Sequence, residues 1–340
     1  TTPEHHPRGR RPVMPVTSVD KDLDQLTLTI VAEFPVPVRR LWDAYVDPRQ
    51  IERFWGPPTW PATFTRHDVF PGGRTDYYMT GPDGSRSRGY WEFLAVEEGR
   101  SFEVLDGFTR DDGTPDTDLP TTRMVFSFEA TEAGSRLTTT SHFGSLSELE
   151  QLIAMGMEEG TREAMGQIDA VVADDATFAA DAGTRTQHLD DRTVRFTRVL
   201  RGTPRQVWDA SHDPAVLDRW FHGPDGWALV GCRVASEPGQ TTRFEWAPGE
   251  GVEGEPFALT GELLETDPPH REVFTETMEG ADAPPTRNEQ TLTAVEGGTL
   301  LTLVITYASA ELREMILGTG MVDGMEVGYR RLESEVLSAA

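Results

Sequence analysis

The chain holds a single cysteine, Cys232, in 340 residues, has no run of 18 or more apolar residues, and carries too few basic residues to balance its acids. A lone cysteine excludes an internal disulfide. Without a long apolar run there is no candidate for a membrane-spanning helix. Lys and Arg number 31 against 57 Asp and Glu, a net charge of −26. That excess repels phosphate backbones and anionic lipid, so neither nucleic acid nor a membrane is an expected partner. Its plainer service is solubility. Catalytic signatures are also scarce: the sequence contains no P-loop, Gly-x-Ser-x-Gly, Cys-x-x-Cys or His-Glu-x-x-His. The eight histidines show no metal-ligand spacing, so no metal or cofactor is expected. The opening TTPEHHPRGRRPVMP lacks the apolar stretch of a secretory leader and reads as part of a flexible arm over 1–22. A cytoplasmic protein is the expectation.

What the chain has in abundance is self-similarity. RRLWDAYVDPRQIERFWGPP at 39–58 returns as RQVWDASHDPAVLDRWFHGP at 205–224. Trp42 and Asp47-Pro48 recur 166 residues later as Trp208 and Asp213-Pro214. Gly56-Pro57 and Pro71-Gly72 recur after 167, and Met157 and Gly160 after 164, as Met321 and Gly324. Solenoid repeats run about 20–50 residues, so a period this long marks a duplicated domain. The predicted organisation is an arm at 1–22, one domain at 23–174, a small and polar linker at 175–189, and a second domain at 190–340.

Each copy opens with an alternating strand pattern, DQLTLTIVAEF or DRTVRFTRVL. Two short helices follow, with Thr203 as a cap before Pro204, and Asp47 and Asp213 as caps before Pro48 and Pro214. Gly- and Pro-punctuated strands come next. A long amphipathic helix closes each copy, with Leu149, Leu152, Ile153, Met165, Ile168 and Val172 on one stripe, and Leu312, Met315, Ile316, Val322, Met325, Tyr329, Leu332 and Val336 on the other. A curved antiparallel sheet must cover its concave face, so that helix is expected to lie across it. The fold class is α+β, two tandem helix-grip domains.

The string GGRTDYYMTGPDG, the Trp-Asp…Asp-Pro…Phe-Trp-Gly-Pro segment and the closing MEEGTREAMGQI resemble the activator-of-heat-shock-ATPase-like branch of the START-like helix-grip (SRPBCC) superfamily. TGELLETDPPHREVFT in the second copy is similar to that branch's Gly-x-Tyr-x-Glu-x-x-Pro-Pro-x-Arg strand pair, with Leu263 in place of Tyr. The first copy has Phe93 where the branch has Glu, whereas the second keeps Glu265. The resemblance implies a cavity between sheet and long helix, in a superfamily of ligand carriers, self-resistance proteins, polyketide cyclases and co-chaperone domains.

Strand alternation puts Tyr77 and Met79, and Phe244 and Trp246, on the apolar face. These four, with Trp91 and Leu263 on the next strand and Met157, Met321 and Met325 on the helices, are the expected ligand-binding residues. Glu265 shares a face with Leu263 on simple alternation, which would bury it and raise its pKa. His142 and Tyr307 end equivalent strands and are its companions as candidate catalytic groups. Cys232 has no activating neighbour in sequence. The glycines inside the helical patterns, Gly156, Gly160, Gly318, Gly320, Gly324 and Gly328, predict kinks or close approaches.

Three functions follow as expectations. The first is binding of a hydrophobic small molecule, polyketide-like or another secondary metabolite, for carriage, sequestration or self-resistance. The second is a cyclase-type enzyme using acid–base chemistry on a polyketide-like substrate. The third is a co-chaperone-like interaction module. A monomer whose two domains pair within the chain is the expected assembly.

Overall fold

The computed structural model describes residues 15–179 and 182–339. The chain divides into two compact units that follow the two copies of the repeat except at Thr65–Thr75. In the first copy β1 (Val16–Asp22) and β2 (Thr27–Phe34) precede α1 (Val38–Val46) and α2 (Pro48–Ile51). Six strands follow: β3 (Ala62–His67), β4 (Arg74–Thr80), β5 (Arg86–Glu97), β6 (Ser101–Phe108), β7 (Thr122–Thr131) and β8 (Gly134–His142). Helices α3 (Leu146–Ala154) and α4 (Met157–Val172) close it. The strands form one sheet in the order β1-β2-β8-β7-β6-β5-β4-β3.

The second copy repeats this plan. After α5 (Asp175–Phe178) come β9 (Arg185–His188), β10 (Thr193–Leu200), α6 (Pro204–His212) and α7 (Pro214–Trp220). Then follow β11 (Trp227–Arg233), β12 (Thr241–Pro248), β13 (Phe257–Asp267), β14 (Arg271–Met278), β15 (Thr286–Val295) and β16 (Gly298–Thr306). It closes with α8 (Ala310–Leu317) and α9 (Met321–Arg331), which runs on as a wider helical turn at Leu332–Val336. The sheet order is β11-β12-β13-β14-β15-β16-β10-β9, the same neighbour pattern as in the first copy.

Two segments differ from expectation. Val16–Asp22, counted with the arm, is a strand that pairs with β2 in antiparallel register. Arg185–His188, counted with the linker, pairs likewise with β10. Both are short polar edge strands, whose side chains carry little burial signal. The rest of the expected arm, 1–14, lies outside the described residues.

The paired helices form as their caps dictate. The Asp47 carboxylate accepts from the Arg49 backbone N–H at 2.9 Å and Asp213 from that of Ala215 at 2.9 Å, each with Pro at the first helical position. Burial pushes the Asp47 carboxyl up, but its bonds with Arg49 and Gln50 outweigh that and hold it below the ordinary range. Thr203 and Gln206 form a reciprocal capping box on α6.

The closing helix is broken in both copies. Gly156 between α3 and α4 has φ 90°, and Gly320 before α9 has φ 83°. Only glycine adopts such values without strain, so the helix bends where two of the glycines stand.

The two interiors differ. The first is packed with rings: Trp42 meets Phe102 and Phe128 at 5.9 and 5.2 Å, Phe102 stacks on Phe126 at 4.6 Å, and Trp55 meets Trp91 edge-on at 4.6 Å. Its helix α4 seats Ala164, Met165, Ile168, Val171 and Val172 in the core. In the second copy the residues of α8 and α9 stay partly accessible, and the helix reaches the core only in its continuation, Leu332–Val336, where Leu332 is buried. Ile316, Leu317, Met321, Val322 and Met325 touch the core made by Val194, Phe196, Ile305 and Tyr307 yet stay partly accessible. The first part of that helix is therefore seated less deeply on its sheet than α4 is.

Candidate functional site

The ladders place one acid at the same point of each sheet. Glu97 pairs with Ser101 in the first copy and Asp267 with Arg271 in the second, so the two hairpins are in register. The sixth residue of β6 is then Asp106 and the sixth of β14 is Glu276. Both face inward, Asp106 with Phe102 and Val104, Glu276 with Glu272 and Phe274. Each is surrounded by protein while part of its surface remains open. Burial pushes both carboxyls up to about 7.

Their partners differ. In the ladder Trp91 stands across from Asp106, and its indole Nε1 donates to Oδ1 at 2.9 Å. The Tyr77 hydroxyl is bonded to the same carboxyl. Tyr77 is held by Phe64, stacked at 5.2 Å, and by Trp55, edge-on at 6.1 Å. Burial, and next the Asp106 charge, push the Tyr77 hydroxyl far above its usual range, so it stays a donor.

Glu276 has neither partner. The register that pairs Thr260 with Thr277 and Leu263 with Phe274 leaves Gly261 across from Glu276. A side chain cannot be restored there, because a Cβ on Gly261 would lie 1.7 Å from the Thr275 carbonyl oxygen. Phe244 replaces Tyr77 on the neighbouring strand and removes the hydroxyl. No described residue bonds the Glu276 carboxyl. Close by, Tyr307 is 1 % exposed and its hydroxyl has no hydrogen-bond partner. Burial and then the Glu276 charge push that hydroxyl up to about 12. A buried unpaired hydroxyl is destabilising by about 1–3 kcal/mol.

Further register-equivalent changes follow the same trend. Phe102 becomes Glu272, Met124 becomes Asn288, Phe126 becomes Gln290 and Phe143 becomes Tyr307. Glu272 accepts from Gln290 at 2.9 Å and lies 3.2 Å from His212 Nε2. Burial alone would lower the His212 pKa, but the Glu272 bond and charge outweigh it and raise it. The second interior is lined by more polar groups where the first is an aromatic core.

The residues expected from sequence fall into three groups. Trp91 and Tyr77 meet at Asp106, with Trp91 fully buried; Met79 and Met157 are half-buried in the same copy. Leu263 points inward at 4 % exposure, Phe244 is half-buried, and Met321 and Met325 pack from α9 against the cluster that contains Tyr307. Trp246 is packed rather than free: it stacks on Phe257 at 5.1 Å and donates to the Phe221 carbonyl at 2.8 Å.

Glu265 and His142 stand elsewhere. The β13 ladder slips between Leu263 and Glu265, so the two do not share a face. Glu265 pairs outward with Arg271 at 2.5 Å, its side chain is 53 % exposed, and that bond lowers its pKa instead of raising it. His142 pairs with Arg123 on the face opposite Ser141 and Thr139, beside the Arg123–Glu103 ion pair. Its equivalent is Thr306, across from Arg287, and Tyr307 corresponds to Phe143. Burial raises the Cys232 thiol. Among the described residues no cluster of His, Cys, Asp and Glu is arranged to hold a metal ion, and no helix is long and apolar enough to cross a membrane.

Asp106 and Glu276 escaped the sequence reading, although a signal was present. Each sits on the inward beat of its strand, in SFEVLDGF and REVFTETM, and counting from the preceding turn aligns them.

A family model described as "Activator of Hsp90 ATPase homolog 1-like protein" matches residues 35–173 and again 201–336. Among solved structures, protein Ms6760 from Mycobacterium smegmatis is 52% identical, over 46% of this chain and 96% of that one, with a TM-score of 0.44. A protein from Arthrobacter aurescens is 48% identical, over 47% of this chain and 94% of its own, with a TM-score of 0.45. One from Rhodobacter sphaeroides is 30% identical, over 46% and 99%, with a TM-score of 0.43. No curated protein matches the chain. With two matches that together span most of its length, the chain belongs to the Activator of Hsp90 ATPase homolog 1-like family and carries that domain twice.

Proposed function

We propose that the chain binds an apolar small molecule in its second copy, between β13–β15 and the α8–α9 helix. The observation that carries this reading is the pairing of Glu276, an inward acid with no described bond to its carboxyl, with the unpartnered Tyr307 hydroxyl, beside helix residues that stay partly accessible. Ligand sites of this kind are apolar with a few convergent polar groups. The first copy, closed by its own rings, serves as a stable scaffold. The superfamily resemblance adds the class of molecule, a polyketide-like or other secondary metabolite, and its purpose, carriage, sequestration or self-resistance.

The test is native mass spectrometry of the full chain purified from its own host, beside its denatured mass. One extra small-molecule mass per chain, lost on denaturation, is the expected result. An unliganded mass, together with no binding of naphthalene-sized apolar probes, overturns the reading.

A second reading draws support from the same carboxyl. An acid held near 7 beside a phenol is suited to proton transfer, as a cyclase requires. Under that reading Glu276→Gln abolishes turnover of a bound substrate while leaving its affinity within a few fold. Loss of affinity without any turnover to lose favours binding alone.

A further inference from the structure

The first copy shows what completes the acid at this position: a flat aromatic N–H from Trp91 and an aromatic O–H from Tyr77. In the second copy both are missing at once, replaced by Gly261 and Phe244, while the acid itself is retained as Glu276. An acid in a protein interior without a donor is costly, and an apolar residue in its place would not be. Instead the surroundings have gained Asn288, Gln290 and the unpartnered Tyr307 hydroxyl.

We propose that the ligand of the second copy supplies the donor that Trp91 supplies in the first, as a flat, neutral aromatic molecule whose own N–H or O–H donates to Glu276 while Tyr307 donates to an acceptor at the same end. The inference deepens the small-molecule reading above and rests on it. A cationic ligand is disfavoured because burial favours the neutral form of Glu276, while the other charges nearby are already matched. Arg313, which Tyr307 senses, is held by the Asp191 carbonyl and Glu314. Arg198, under α9, is matched by Glu326 and Glu333, and Glu272 by His212. Glu276 is thus the one inward acid of β14 left open, and a neutral donor satisfies it without a second buried charge.

The experiment compares two probes of nearly the same shape on the full chain by titration calorimetry. 2-Naphthol can donate; 2-methoxynaphthalene cannot. Wild type is expected to bind 2-naphthol at least tenfold more tightly, and Glu276→Leu is expected to erase the difference while 2-methoxynaphthalene affinity stays within a few fold. That retained affinity reports that the variant is folded and its site intact. Tyr307→Phe is expected to weaken both probes, since each offers an oxygen acceptor. Equal binding of the two probes by wild type, or a preference that survives Glu276→Leu, overturns the donor inference and leaves the small-molecule reading standing. Failure of both probes to bind overturns that reading, and this inference with it.

Discussion

Trp91 and Asp106 face each other across neighbouring strands and are joined by an indole hydrogen bond of 2.9 Å, whereas the equivalent pair in the second copy is Gly261 and Glu276, with no bond. Conservative removal of that donor isolates its energetic share. Trp91→Phe keeps a large ring in the first core but leaves the enclosed carboxyl dependent on Tyr77 alone. The expected loss is about 1–3 kcal/mol of stability in urea unfolding. An unchanged midpoint would mean that the indole bond contributes nothing.

The two raised acids impose a pH dependence with a definite sign. Each folded-state value, about 7, lies above the ordinary value near 4, so the folded chain holds protons that the unfolded chain releases. Their contribution is fully present below about pH 4, declines as pH rises toward 7, and is gone above it. Asp106→Asn and Glu276→Gln should therefore gain on wild type progressively from pH 4 to 7, with a constant margin above. Denaturation at stepped pH reads this directly. A margin that is the same at pH 4 and pH 8 would show that these carboxyls ionise normally in the folded chain.

The fold was largely legible because its signals are strictly local or strictly periodic. Asp47-Pro48 and Asp213-Pro214 announce helix starts through cap chemistry alone, and the repeat offset announces two domains. The candidate site was legible only in part. Trp91, Leu263 and Met325 follow from alternation and helical stripes, but Glu265 did not, because a bulge between it and Leu263 reverses the face of every later residue in the strand. The same limit hid the correspondence of Tyr307 with Phe143, which rests on the β15–β16 register and not on sequence distance. An acid's loss of partners is a comparison between two folded interiors, and neither pattern nor propensity encodes it.

Arg198 offers a separate test of how the second copy holds its closing helix. Its side chain is 5% exposed, contacts Glu326 on α9 at 3.1 Å and donates to Glu333 at 2.8 Å, and donates to its neighbour's carbonyl, Val199 O. Removing one partner of a buried ion cluster strands the others, a loss of about 3–5 kcal/mol. Arg198→Met is expected to fall in that range, and Arg198→Met with Glu326→Gln and Glu333→Gln to recover much of it. If the triple variant is no more stable than the single one, the cluster is not what fastens the helix.

Tyr307→Phe should behave in the opposite way to Trp91→Phe in the unliganded chain. The hydroxyl it removes has no partner and is fully enclosed, so its deletion relieves a desolvation penalty. Unchanged or increased stability, by up to about 1 kcal/mol, is expected on thermal and urea unfolding. A clear loss would show that the hydroxyl is satisfied in solution and would remove one of the two groups on which the proposed site rests.

The most direct comparison of the two copies is to make the first resemble the second. Trp91→Gly deletes a fully buried indole and leaves Asp106 facing a gap, a change expected to lower stability by about 3–5 kcal/mol. If the gap stays dry and shaped, free indole should enter it and donate to Asp106 where Trp91 did, raising the unfolding temperature with indole concentration by mass action. 1-Methylindole fills the same space without a donor and should restore less. Equal rescue by the two molecules would mean that shape alone governs this position in the first copy. No rescue by either would mean that the surrounding rings, Phe102, Phe126 and Trp55, collapse into the space.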